Sequence, residues 1–215
     1  MRDTKSFLSV SNLKKYYKQT IQEERPKSER GLFRPRIKTT RATVKAVDGV
    51  SFDLALGETL GIIGESGCGK STLGRLLVQI EPPTEGTIHL NGVDARQLLK
   101  QDALKYRRTS QMVFQNPFDT FDPRFTLRRI LNDCLSLHSI GDTEEERYQI
   151  ILDILEEAGL RPATDYLDRY PHELSGGQLQ RISILRAMLL EPDLLVADEP
   201  VSMLDVSIQA DILAM

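Results

Sequence analysis

The sequence predicts an α/β fold, and three observations carry that reading. Short alternating apolar runs near the N-terminus read as antiparallel strands. An apolar run then passes through a glycine-rich loop into an amphipathic helix, the strand-loop-helix unit of a parallel α/β core. Much further on, after a stretch of helical periodicity, a second apolar run ends in two acids. The expected architecture is therefore an α/β core with an N-terminal antiparallel β subdomain and an inserted helical subdomain.

The first element is Phe7-Leu8-Ser9-Val10, where apolar and polar residues alternate as in a half-buried strand. Thr43–Val47 and Val50–Leu54 are strand-like runs that flank Asp48-Gly49, the strongest short hairpin signal. Between these, Thr20–Arg41 holds Arg25, Lys27, Arg30, Arg34, Arg36, Lys38 and Arg41 without a helical or strand period, and is expected to be an inserted, solvated loop. Its basic excess is suited to anionic headgroups or a partner. Leu60-Gly61-Ile62-Ile63 predicts a buried strand, and Leu73, Leu76, Leu77 and Ile80 share one face of the helix after it. Thr143-Glu-Glu-Glu146 has the capping-box pattern before Ile151, Ile154, Leu155 and Ala158, with Gly159 as the stop. A helix over 177–190 and a strand buried on both faces, Leu194–Ala197, complete the order.

Composition narrows the function classes. With 40% hydrophobic and 27% charged residues and a net charge of −3, the chain reads as one globular domain with no global attraction to nucleic acid. Its apolar stretches fall short of the roughly 20 residues that span a bilayer, and Met1–Lys5 lacks the apolar core of a signal peptide. Cys68 and Cys134 are too few for a disulfide framework and are expected to be reduced. His89, His138 and His172 show no metal-ligand spacing.

The chemistry concentrates in two segments. Gly64, Glu65, Ser66, Gly67, Cys68, Gly69, Lys70 and Ser71 match G-x-x-x-x-G-K-[ST], with Thr72 next, between an expected strand and an expected helix. Glycines let backbone N–H groups converge on phosphate oxygens, and the helix N-terminus adds positive potential. Lys70 would reach the β- and γ-phosphates and Ser71 would bind Mg²⁺, which makes this a P-loop NTPase core. In Leu194–Glu199, Asp198 would hold Mg²⁺ through water and Glu199 would take the proton of the attacking water. A strand ending in two solvated acids is the bland alternative for that run alone.

Leu174-Ser175-Gly176-Gly177-Gln178 resembles the signature motif of ATP-binding cassette (ABC) ATPases. Gln115, in Val113-Phe114-Gln115-Asn116-Pro117, resembles their Q-loop, and Ser202-Met203-Leu204-Asp205 their D-loop. The resemblance implies that Ser175, Gly176, Gly177 and Gln178 form a second anion site that closes over the ATP of an opposite subunit. It further implies that Gln115 takes part in catalysis and reaches Mg²⁺, and that Tyr17, with Tyr16 as neighbouring candidate, stacks on adenine. ATP and Mg²⁺ are the implied ligands. The implied division is 1–100 for the β subdomain and P-loop part, 101–185 for the helical subdomain and 186–215 for the second core part.

Leu13–Tyr17, Lys45–Phe52, Gln111–Pro117, Asp122-Pro-Arg124 and Tyr170–Ser175 are similar to the ATPase subunits of oligopeptide, dipeptide and nickel importers. That branch implies a second ATPase subunit, homo- or heterodimeric, transmembrane permease subunits and, indirectly, an extracytoplasmic solute-binding protein. It also implies a peripheral position on the cytoplasmic face of the membrane. None of the three histidines follows Glu199, so the family's switch histidine has no counterpart here, and Val206–Met215 reads as the beginning of a helix of a longer chain. Two alternatives remain. An ABC-type ATPase of DNA repair would need long heptads between Gln115 and Ser175, which are not present. A regulatory half-site without turnover sits poorly with Lys70, Asp198, Glu199 and Ser175 all in place.

Overall fold

The computed structural model describes residues 6–24, 37–202 and Gln209. The chain divides into two compact units, Met1–Gln97 and Leu98–Met215.

In the first unit, β1 (Leu8–Glu24), β2 (Ile37–Leu54), β3 (Glu85–Leu90) and β4 (Val93–Asp94) form an antiparallel sheet in the order β2-β1-β3-β4. Leu8, Val10 and Leu13 of β1, Val47 of β2 and Ile88 and Leu90 of β3 are buried, as the alternation at the N-terminus predicts. Helix α1 (Lys70–Leu77) buries Leu73, Leu76 and Leu77.

Three expectations for this unit need correction. Asp48-Gly49 is no hairpin: β2 runs straight through it, paired with β1 on both sides. Lys14 pairs with Asp48 and Leu13 with Val50, so Gly49, at φ 82°, is the extra residue of a bulge. The supposed loop Thr20–Arg41 is partly strand, since Thr20 pairs with Arg41 and Glu24 with Ile37, while 25–36 lie outside the described residues. A two-stranded ribbon need bury neither face, so its sequence carries no apolar period to read. Leu60-Gly61-Ile62-Ile63 is not a strand among the described residues, and Ile63 is 98% exposed. A central strand exists only when neighbours satisfy its backbone, and no described strand flanks this run.

The second unit opens with α3 (Ala103–Thr109), following α2 (Ala95–Gln101) at the boundary. Next come β5 (Ser110–Val113), a 3-10 turn at Pro117–Thr120, α4 (Leu127–Leu137), α5 (Glu144–Glu157), α6 (Gly176–Met188) and β6 (Leu194–Ala197). Helices α4, α5 and α6 share one core. Leu127, Leu131 and Leu135 at four-residue spacing meet Ile151, Ile154 and Leu155, with Leu179 and Ile182 closing the layer. The capping box at α5 is formed, Thr143 Oγ1 accepting from Glu146 N and Glu146 Oε2 from Thr143 N, and Gly159 follows the helix at φ 81°. β5 and β6 pair in parallel, Ser110 to Leu194 through Val113 to Ala197. The expectation that β6 is buried on both faces fails: Leu195 is 42% exposed, because β5 is its only partner among the described residues. No helix among the described residues is long and apolar enough to cross a membrane.

Candidate functional site

The expected site residues fall in both units. In the first, residues 64–68 form an exposed loop that enters α1. Lys70 turns back over this loop, its Nζ donating to Gly64 O at 2.9 Å and Glu65 O at 3.0 Å. The ammonium is thus held above a ring of backbone, where the amides of the loop and the start of α1 create positive potential.

The position of the loop is set by one close approach. Lys15 pairs with Val47 and Tyr16 with Lys45, which leaves Ala46 as the extra residue of a second bulge in β2. A Cβ on Gly69 would lie 2.1 Å from Ala46 O, and Gly69 sits at φ 104°. Only glycine satisfies both conditions.

Tyr17 lies on β1, half-buried, with its hydroxyl donating to Glu81 Oε2 at 2.5 Å and hydrogen bonded to the Thr72 side chain at the start of α1. Burial and Glu81 push the phenol above its ordinary range, so it stays neutral. Tyr16 faces elsewhere, its hydroxyl donating to Asp48 and Lys45 Nζ lying 5.4 Å from its ring. Of the two candidates, Tyr17 is the one beside the phosphate loop.

In the second unit, β5 and β6 deliver Gln115 and the two acids to one place. The Asp198 amide donates to Val113 O at 2.9 Å, extending the parallel ladder, and its side chain is buried. Glu199 is exposed, with φ 46°, a left-handed conformation unusual for a residue with a side chain. Gln115 Nε2 donates to Glu199 Oε2 at 2.9 Å and to Ser202 Oγ at 3.3 Å, while Ser202 Oγ donates to Glu199 O at 3.0 Å. Ser202 is the one residue of the expected D-loop that is described; Met203, Leu204 and Asp205 lie outside the described residues.

Ser175 caps α6. Its hydroxyl accepts from Gln178 N at 3.2 Å, and Gln178 Oε1 accepts from Ser175 N at 3.0 Å. Ser175 is exposed and Gly176 partly so, whereas Gly177 is buried. A Cβ on Gly176 would meet nothing within 4 Å, so the helix start is open to an approaching anion. A cleft of about 200 Å³, lined by Gln115, Asn116, Pro117, Phe118, Gly176, Gln180 and Pro200, joins the Gln115 segment to this helix start.

Two residues that sequence reasoning overlooked tie these parts together. Gln180 Nε2, buried in α6, reaches Phe114 O at 3.4 Å, one residue before Gln115. Arg186 Nη1 reaches Thr120 O at 3.4 Å, and its guanidinium lies 4.6 Å from the Phe121 ring. Gln180, Ser183 and Arg186 form a polar stripe at three-residue spacing along a helix that buries Leu179, Ile182 and Leu185. That stripe was the available signal.

A family model described as "ABC transporter" matches residues 47–202, and so covers both the phosphate loop and the paired acids. The chain belongs to the ABC transporter family. Among the relatives of this ABC chain, the oligopeptide transport ATP-binding protein AppF of Bacillus subtilis is 50% identical over 184 residues, 85% of this chain and 54% of AppF. The dipeptide transport ATP-binding protein DppF of Escherichia coli is 46% identical over 209 residues, 96% of this chain and 57% of DppF. The chain thus spans little more than half the length of the curated relatives it matches. A solved dimeric structure of MJ0796, a bacterial ABC transporter cassette, aligns with a TM-score of 0.75 at 27% identity over 96% of this chain and 80% of that one. A second structure of MJ0796, a post-hydrolysis dimer bound to ADP and Pi, aligns with a TM-score of 0.74 at 26% identity, with the same coverage. The P-loop-type α/β fold of this ABC chain is therefore the fold of nucleotide-binding cassettes.

Proposed function

We propose that this ABC chain is the ATP-binding and ATP-hydrolysing part of a transporter that imports peptides or a related small solute. The observation that carries the proposal is the Gln115–Glu199 contact at the ends of β5 and β6, in a chain that also holds a Lys70-closed phosphate loop. Relatives named for oligopeptide and dipeptide transport support the choice of solute.

In this reading Gly64, Glu65, Ser66, Gly67, Cys68, Gly69, Lys70, Ser71 and Thr72 hold the phosphates and Tyr17 receives adenine. Among the described residues no group of three or more His, Cys, Asp or Glu could hold a metal. Magnesium suits such a site, since it binds through few protein groups together with substrate phosphates and water. Ser71, Gln115 and Asp198 would hold it, and it would neutralise charge on the phosphate oxygens. Glu199 accepts the proton of the attacking water, and Gln115, already bonded to that carboxylate, orients it. The open start of α6 at Ser175, Gly176, Gly177 and Gln178 serves the nucleotide of a second ATPase subunit.

The chain works against transmembrane permease subunits fed by an external solute-binding protein, at the cytoplasmic face of the membrane and without nucleic acid. Its functional parts are 1–100, 101–185 and 186–215. The test is Mg²⁺-dependent phosphate release by the full-length protein, alone and copurified with its permease, beside a Lys70→Ala variant. Release that vanishes with Lys70→Ala and rises with the permease is expected. Turnover indifferent to Lys70 would overturn the proposal.

A further inference from the structure

The segment after α1 runs beside β1 just before the start of β3. Thr84 N donates to Lys14 O at 2.8 Å, Tyr16 N to Thr84 Oγ1 at 3.0 Å, and Lys15 Nζ to Pro82 O at 2.9 Å. This pairing delivers Glu81 to the tip of Tyr17. Glu81 Oε2 takes the Tyr17 hydroxyl at 2.5 Å and lies 3.3 Å from Lys15 Nζ, while Oε1 lies 3.8 Å from Arg75. Lys15 Nζ also stands 5.1 Å from the Tyr17 ring centroid. A carboxylate just past a helix C-terminus faces the negative end of the helix dipole. Here a phenol and two cations offset that cost, and the acid is kept ionised, chiefly by the Tyr17 hydrogen bond.

From this geometry we infer that Glu81 is a positioning residue for nucleotide binding, fixing the Tyr17 ring as a preformed platform for the base. The inference rests on the reading of Tyr17 as the adenine-stacking residue and adds to it the group that holds the ring. With its hydroxyl anchored by Glu81 and Thr72, Tyr17 has little side-chain freedom left to lose on binding. The side-chain bonds of Glu81 go to Tyr17, Lys15 and Arg75, and it reaches Thr72 only through the Tyr17 hydroxyl. Its effect is therefore expected to fall chiefly on ligands that carry a base.

The experiment compares binding of Mg²⁺-ATP with Mg²⁺-tripolyphosphate, which has the phosphates and no base, by calorimetry on the full-length protein. Glu81→Ala is expected to weaken ATP roughly three- to tenfold, the scale of one newly mobile side chain, and to leave tripolyphosphate unchanged. Glu81→Gln keeps an acceptor for the phenol and should rescue most of the loss. In a Tyr17→Ala background Glu81→Ala should add nothing, as expected for residues acting as a unit. Equal losses for both ligands would make Glu81 a scaffold residue and overturn the inference. Undiminished ATP affinity in Glu81→Ala, with a loss in Tyr17→Ala, would overturn it while leaving the platform intact. If Tyr17→Ala binds ATP as the parent does, the platform reading itself falls, and the inference with it.

Discussion

Gly69→Ala tests whether the bulge at Ala46 sets the phosphate loop. At φ 104° an alanine is strained, which costs of order 1–3 kcal/mol where the surroundings hold the conformation. The new methyl would also start 2.1 Å from Ala46 O, a backbone atom of the paired β2 strand that cannot swing away as a side-chain tip can. The exposed loop is the part able to yield. It relieves the clash by lifting off β2, and the Lys70 bonds to Gly64 O and Glu65 O are disturbed with it. The strain then appears as lost ligand affinity rather than lost fold. If 1–3 kcal/mol is all transferred to binding, Mg²⁺-ATP weakens by roughly 5- to 150-fold. Fluorescence titration gives the affinity and a thermal melt gives the stability of the same sample. Parental affinity would refute the reasoning, and so would a fall in melting temperature large enough to account for the loss.

Glu199→Gln removes the proton acceptor and keeps a group that Gln115 can bond, so turnover should fall by about 10²–10⁴-fold with ATP binding retained; steady-state kinetics beside equilibrium binding checks this. Leu135→Ala empties a fully buried position in the core of α4, α5 and α6 and should cost about 2–5 kcal/mol, read by urea denaturation. Burial pushes the Cys134 thiol up, with Arg186 working weakly the other way, whereas Cys68 is exposed. Iodoacetamide at pH 7.5 (about a unit below an ordinary thiol) should therefore modify Cys68 first, and Mg²⁺-ATP should slow that reaction alone. Arg124 holds the Asp122 carboxyl down at about 2, so the charged pair is intact at neutral pH and is lost as pH falls through that value. In Arg124→Ala the Asp122 titration followed by NMR should return toward the ordinary carboxylate range.

How much of this was readable from residues alone depended on the range of the interaction responsible. The capping box at Thr143 lies within four residues of its partner, so pattern and geometry agree. The exposed loop over 64–68 that enters α1 was readable because glycine spacing is itself the constraint. Asp48-Gly49 misled because a glycine at positive φ suits a bulge as well as a turn, and only pairing with β1 decides between them. The run Leu60–Ile63 misled for the opposite reason: its composition suits a buried strand, but strand formation needs neighbours that lie elsewhere in the chain. Glu81 carries no local signature at all, and Arg186 only the polar stripe it shares with Gln180 and Ser183. Each is defined by a contact more than sixty residues away, with Tyr17 and with Thr120.

The two long-range bonds of α6 have a mechanical meaning. A helix of 13 residues is a stiff rod about 20 Å long. This one is fastened near its start to Phe114 O through Gln180 and near its end to Thr120 O through Arg186, so the peptide carrying Gln115 is strung between two cleats on the rod. The Pro117–Thr120 turn, the peptide carrying Gln115 and the Ser175 end of the helix are thereby parts of one bonded unit.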